Sequence, residues 1–196
     1  MYKKIVGLTG QSGAGKTTVS FLFETNDFFI INTDKIARQL QSEPFVIEIL
    51  KNNFGDEVVT PDKALDRKQL ARIVFSDKKE LEKLNSIMFP LVIDKVKEII
   101  LDTEEPLILL DAPQLFESGV NCICDTIVAV ICSKNKLIER IVERDNITVE
   151  NAKLRLNSQK TEKFFIDNAD YVIQNNSDIE NLIRETDNII NLIKNE

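Results

Sequence analysis

The stretch KKIVGLTGQSGAGKTTVSFLFE, Lys3–Glu24, decides the fold. It opens on a short β-branched run, KKIVGLT, and closes on KTTVSFLFE, where Val19, Leu22 and Phe23 recur at helical spacing. Between them, Gly10-Gln11-Ser12-Gly13-Ala14-Gly15-Lys16-Thr17 matches G-x-x-x-x-G-K-[ST], in the strand-to-helix setting that this pattern requires. Glycines let successive backbone N–H groups turn inward around phosphates, and the helix N-terminus adds partial positive charge. Lys16 is expected to reach the β/γ oxygens of a triphosphate, and the Thr17 hydroxyl to ligate Mg²⁺. Such a grip names half a reaction, because GTPases, kinases and switch proteins share it.

Outward from this unit, strands and helices alternate. DFFIIN (27–32) reads as a second buried strand, followed by a helical DKIARQL. EPLILLDAP (105–113) and DTIVAVICS (125–133) are apolar enough to be covered on both faces, as parallel strands are, and ADYVIQN (169–175) makes a fifth. The final segment places Ser177 and Glu180 in capping-box spacing, then sets Ile179, Leu182, Ile183, Ile189, Ile190 and Ile193 on one helical face. The expected architecture is α/β, a P-loop NTPase-like three-layer fold with about five parallel strands. Two stretches break the alternation: 43–104 and 134–168 are helix-like and carry no convincing strand. One domain is therefore expected over 1–196, with its core at about 1–42, 105–133 and 169–196, a helical substrate-binding insertion at about 43–104 and a lid at about 134–168.

Composition narrows the function. The 196 residues are 43% hydrophobic and 29% charged, with a net charge of −7, which argues against non-specific nucleic-acid binding. No apolar run is long enough for a membrane span and no secretory leader is visible, so a cytoplasmic protein is expected. Cys122, Cys124 and Cys132 read as reduced thiols, and the lack of any histidine argues against a structural zinc site. It also limits any general base to a carboxylate, a lysine, a cysteine or water.

A guanine-specific switch would carry N-K-x-D after a late strand, but VAVICSKNKL offers Lys134-Asn135-Lys136 without the aspartate. Asp34, in INTDKIAR, is expected to end the second strand. The carboxyl ends of parallel strands form the ligand crevice, so Asp34 is expected to face the phosphate loop. There it can take a hydroxyl's proton or bind Mg²⁺ through water; equally, it can cap the helix that follows. Arg140 and Arg144 lie one turn apart beside the apolar stripe Leu137, Ile138, Ile141 and Val142. On a solvated face Glu139 and Glu143 would offset their repulsion, yet segment 134–163 holds eight basic residues against five acidic. That local excess favours a lid closing over ATP phosphates. Asp66-Arg67 reads either as a cap with a surface charge or as a substrate contact, and Asn175 and Asn176 as an adenine pocket or a turn.

These residues together resemble the dephospho-coenzyme A kinase family along nearly the whole chain. GLTGQSGAGKTT is similar to the family's opening, NTDKIAR to its D-x-D-x-I-A-R, and LDRKQLARIVFSD with LEKLNSIMFP to its middle region. DAPQLFESG is similar to its P-L-L-F-E segment, IERIVERDNIT to its lid, and SQKTEKFFIDNADYVIQNN to its closing Gln, Ala-Asp and Asn elements. The phosphate loop is generic; the ordered set is specific. The resemblance implies transfer of ATP's γ-phosphoryl group, with Mg²⁺, to the ribose 3′-hydroxyl of dephospho-CoA. By it, Asp34 is the catalytic base, with Lys16, Arg140 and Arg144 as catalytic partners. Nucleotide binding falls to Gly10, Ser12, Gly13, Ala14, Gly15, Lys16, Thr17, Thr18, Asn175 and Asn176, and metal binding to Thr17. Acceptor binding falls to Asp34, Arg38, Asp66, Arg67 and Gln159. No nucleic acid, membrane or obligate protein partner is implied. Three positions depart from the family pattern: Asn32 for its first aspartate, Phe89 before Pro90 for its histidine, and Gln114 in the P-L-L-F-E segment. Two rivals remain, another small-molecule kinase on the same architecture and a non-catalytic nucleotide-binding module.

Overall fold

β1 (Lys4–Gly10), β2 (Phe29–Asn32), β3 (Leu107–Asp111), β4 (Thr126–Ile131) and β5 (Tyr171–Gln174) form one sheet in the order β2-β3-β1-β4-β5. This is a computed structural model, and it describes residues 2–195. β1 pairs in parallel with β3 and with β4, and β4 with β5, with Val6 opposite Leu109, Leu8 opposite Val128 and Val130 opposite Ile173. β3 and β4 are near-continuous apolar runs because both of their faces are covered. Val128 and Val130 join Val6, Leu8 and Ile173 in the larger core, whereas Ala129 and Ile131 alternate to the opposite face against Phe165. At the amino edge, side-chain oxygens finish the ladder: Asp125 accepts from the Ile5 N–H at 2.7 Å and Asp170 from the Ile127 N–H at 2.8 Å.

The chain leaves β1 towards β2 and β3 on one side, then crosses to β4 and β5 on the other. The carboxyl end of β1 is thus the switch point of the sheet, where open α/β folds hold their ligands. The phosphate loop sits there, running from Gly10 into α1 (Lys16–Glu24).

α9 (Ile179–Asn195) closes this core, with two differences from the periodicity reading. Leu182, Ile190 and Ile193 are buried, but Ile179 and Ile183 are 56% and 38% exposed. Ile179 is the first helical residue and Ile183 lies at the edge of the stripe. A polar residue, Thr186, is fully buried in the stripe instead. Its hydroxyl donates to the Leu182 carbonyl at 2.7 Å, which satisfies it without leaving the helix. The cap also moves by one residue: the Asp178 carboxylate, not Ser177, accepts from the Asn181 N–H at 2.8 Å.

By packing, the chain divides into two units, one holding the sheet and the chain from Glu104 onward, the other spanning Asn32–Thr103. The second unit comprises α2 (Thr33–Leu40), α3 (Pro44–Phe54), α4 (Arg67–Ser76) and α5 (Lys78–Asp102). Its own core includes Val46, Leu50, Phe54, Val58, Leu70, Val74 and Met88. The helical unit begins at residue 32 rather than 43, because Ala37 and Leu40 of α2 pack into that core. The basic stretch forms α6 (Lys134–Asp145), α7 (Val149–Asn157) and α8 (Glu162–Asn168). Leu137, Ile141, Ala152 and Leu156 of these helices are buried in the same core as the strands.

Candidate active site

Backbone geometry builds the phosphate loop first. At Gly10 a Cβ would lie 2.3 Å from the Val130 carbonyl oxygen, and at Gly15, with φ of +100°, 2.3 Å from the Asn175 amide nitrogen. Neither position admits a side chain, so the loop keeps the close turn that brings N–H groups together ahead of α1. Lys16, the first residue of that helix, forms an ion pair with Asp111. Their side chains are only 15% and 7% exposed. Asp111 ends β3 and stands in register with Leu8 of β1, which brings it to the loop. A largely buried charge pair is a poor source of stability, so this one, beside the loop, is a candidate for function rather than a staple of the fold. Sequence reasoning passed over Asp111. Its only signal is a carboxylate that closes the apolar run LILLD.

Four side chains then fix the loop from outside. The Arg140 guanidinium donates to the Gly13 carbonyl at 3.2 Å and to the Asn175 side-chain oxygen at 3.4 Å. The Asn175 amide donates in turn to the Ala14 carbonyl at 2.8 Å. Two loop carbonyls are thereby held outward. The Ser12 N–H donates to the Gln159 oxygen at 2.9 Å, and the Gln11 amide donates to the Lys160 carbonyl at 3.2 Å. Arg144 donates through Nη2 to the Ser12 hydroxyl at 3.1 Å. Asp145 takes the same guanidinium through both oxygens, at 2.8 and 2.9 Å, and also pairs with Arg155. The hydrogen bond from Arg144 holds the Asp145 carboxyl below its ordinary range, and the same bond raises the guanidinium.

Asn176 serves α6 instead: its side-chain oxygen accepts from the Ser133 N–H at 2.8 Å and its carbonyl from Lys136 at 2.6 Å. Beside the loop lies a cleft of about 290 Å³ lined by Gly15, Thr18, Arg140, Asn175, Ser177 and Ile179, among others. Burial pushes the Cys124 thiol up to about 12, so it stays protonated.

In the helical unit the candidates do different work. The Asn32 side chain accepts from the Lys35 N–H at 2.9 Å and is the cap of α2. Asp34 therefore does not cap; it is exposed in the first turn of α2. Asp66 caps α4, accepting from the Lys68 and Gln69 N–H groups at 3.0 Å each. Arg67 donates to the Arg38 carbonyl at 2.8 Å and to the Ser42 hydroxyl at 3.1 Å, which ties the end of α2 to the start of α4. The Arg38 side chain is exposed. A second concavity, about 1040 Å³, is lined by Ser42, Ile47, Lys51, Thr60, Lys63 and Arg67, among others.

Residues 4–181 match the family model described as dephospho-CoA kinase. A Fusobacterium nucleatum protein named dephospho-CoA kinase is 39% identical over 183 residues, covering 93% of this chain and 95% of its own. A solved Thermus thermophilus structure superposes with a TM-score of 0.84 at 29% identity, covering 98% of both chains. The solved dephospho-CoA kinase from Campylobacter jejuni gives 0.73 at 28%, covering 97% of both. The chain belongs to the dephospho-CoA kinase family.

For a dephospho-CoA kinase the donor set is of the expected kind. Mg²⁺ prefers hard oxygen ligands and keeps several waters, taking one or two protein groups together with substrate phosphates. Thr17 and Asp111 offer such oxygens at the loop, and among the described residues no denser cluster of three or more His, Cys, Asp or Glu could hold a metal. Of the departures from the family pattern, Asn32 keeps its capping oxygen, Phe89 is half-buried within α5, and Gln114 is exposed. Among the described residues no helix is long and apolar enough to cross a membrane.

Proposed function

We propose that this chain transfers the γ-phosphoryl group of ATP to the ribose 3′-hydroxyl of dephospho-CoA, giving coenzyme A and ADP, the last step of coenzyme A synthesis. The match of residues 4–181 to the family carries this reading. The loop N–H groups of Gly13, Gly15, Lys16 and Thr17 cradle the triphosphate, with Gly10, Ser12, Ala14 and Thr18 shaping the turn. Lys16 exchanges Asp111 for the β/γ oxygens and neutralises charge that grows as the bond to ADP breaks. The Thr17 hydroxyl and the Asp111 carboxylate would hold Mg²⁺, which would supply positive charge against the transferring phosphates. Asp34 accepts the 3′-hydroxyl proton as the new O–P bond forms, and Arg38, on the same helix, binds the acceptor. Arg144 meets the transferring group; Arg140 and Asn175 act by holding the loop.

Asp66, Arg67 and Gln159 support this site by fixing α4, α2 and the phosphate loop, and Asn176 by fixing α6. The reaction belongs in the cytoplasm, on a small-molecule acceptor, with no nucleic acid, membrane or obligate protein partner; the net charge of −7 supports the first of these. The test is a coupled assay of ADP release across dephospho-CoA, nucleosides and nucleotides. Acceptor-dependent release is expected with dephospho-CoA far above the others. Equal or negligible release with every acceptor would overturn the assignment.

A further inference from the structure

Arg144 is more than half exposed, and a free arginine side chain at the surface samples many rotamers. This one does not hang free. Its Nε and Nη2 meet the two oxygens of Asp145 at 2.8 and 2.9 Å, a fork-to-fork contact that fixes the plane of the guanidinium. The second hydrogen of Nη2 reaches the Ser12 hydroxyl at 3.1 Å. Arg155, on α7, pairs with the same Asp145 oxygen. Two guanidiniums thus converge on one carboxylate, leaving a cluster of net charge +1 against the phosphate loop. With Asp145 removed, the two cations would repel and Arg144 would lose the carboxylate that fixes its plane.

We infer that Asp145 is a positioning residue of the transfer reaction, which aims Arg144 at the phosphate loop and acts through that arginine alone. Adjacency in the chain makes this possible. Asp145 is the last residue of α6, and Asn146, which follows, turns left-handed at φ of +50°. That turn leads into α7, whose Arg155 reaches back to hold the carboxylate. Three groups on two helices therefore share one geometry, and Ser12 is gripped twice, through its hydroxyl by Arg144 and through its N–H by Gln159 at 2.9 Å.

The inference rests on the proposed role of Arg144, so its test separates the two. Turnover and melting are measured for Arg144→Ala, Asp145→Ala and the double variant, at saturating ATP and dephospho-CoA. Arg144→Ala is expected to lower kcat by about 10²–10³, as loss of one transition-state donor does. Asp145→Ala should lower kcat by up to about 10², the effect of misplacing a reacting contact. The double variant should be no slower than Arg144→Ala, because groups that act as a unit are non-additive. Multiplying losses in the double variant would show an independent, structural Asp145 and overturn the inference. So would Asp145→Ala with normal kcat beside a slow Arg144→Ala. An unimpaired Arg144→Ala would remove the role on which the inference stands.

Discussion

The phosphate loop and the helical unit offer polar residues of the same kinds, and use them in opposite ways. Around the loop, side chains from α6, the α7–α8 connection and the end of β5 converge on residues 12–14, three of them on backbone atoms and Arg144 on the Ser12 hydroxyl. In the helical unit, Asn32 and Asp66 spend their oxygens on the N-termini of their own helices, and Arg67 on a helix end. One region is built by contacts distant in sequence, the other by contacts within a turn or between neighbouring helices. A polar residue in the first region is therefore a candidate for chemistry. In the second it is first a candidate for capping, and Asp34 stands out there because a neighbour has taken the cap.

The sharpest way to break that contrast is Asp34→Asn. Since Asn32 caps α2, the exchange leaves the helix intact while removing a proton acceptor. Transfer to dephospho-CoA should slow by about 10²–10⁴, the usual worth of general acid–base catalysis, with ATP binding unchanged. Rescue by excess Mg²⁺ would make Asp34 a metal-positioning group; a normal rate would return it to the surface. Lys16→Ala comes next. A folded variant with turnover lowered by about 10²–10³ is expected, and near-normal turnover would dissolve the loop assignment. The smallest effect tests the other side. Asp66→Ala should cost about 1 kcal/mol as a lost cap. That corresponds to a fall in Tm of roughly 2–4 °C for a chain of this size, with kcat unchanged. A loss of turnover at constant Tm would mean that Asp66 touches the acceptor.

The same contrast explains what the sequence made legible. G-x-x-x-x-G-K-T could be read because its glycines answer a local backbone demand, visible in eight consecutive residues. β3 and β4 could be read most plainly, because parallel strands covered on both faces leave long apolar runs. Asp111 could not, since a single carboxylate at a strand end has no spacing to betray it, and its meeting with Lys16 depends on the register of β1 with β3. The bond between Gln159 and Ser12 joins residues 147 apart, beyond the reach of any periodicity. In α9 the capping box misled by one position because Ser177 and Asp178 are both good caps and only Asp178 accepts the bond. Thr186 was missed because a hydroxyl satisfied inside its own helix is buried as readily as an aliphatic group.

The helical unit also separates in sequence two strands that lie side by side. Lys4 of β1 stands opposite Leu107 of β3, and the whole of Asn32–Thr103 is strung between them. While that stretch is a loose coil, closing the ladder means closing a long loop, and long-range pairings are the slow ones in folding. Once the stretch gathers around Leu50, Val58 and Met88, the coil becomes a short tether and the entropy of closure falls. Substitutions that loosen the helical core are therefore expected to slow formation of the sheet without altering one of its residues, read as a lower refolding rate by stopped-flow fluorescence.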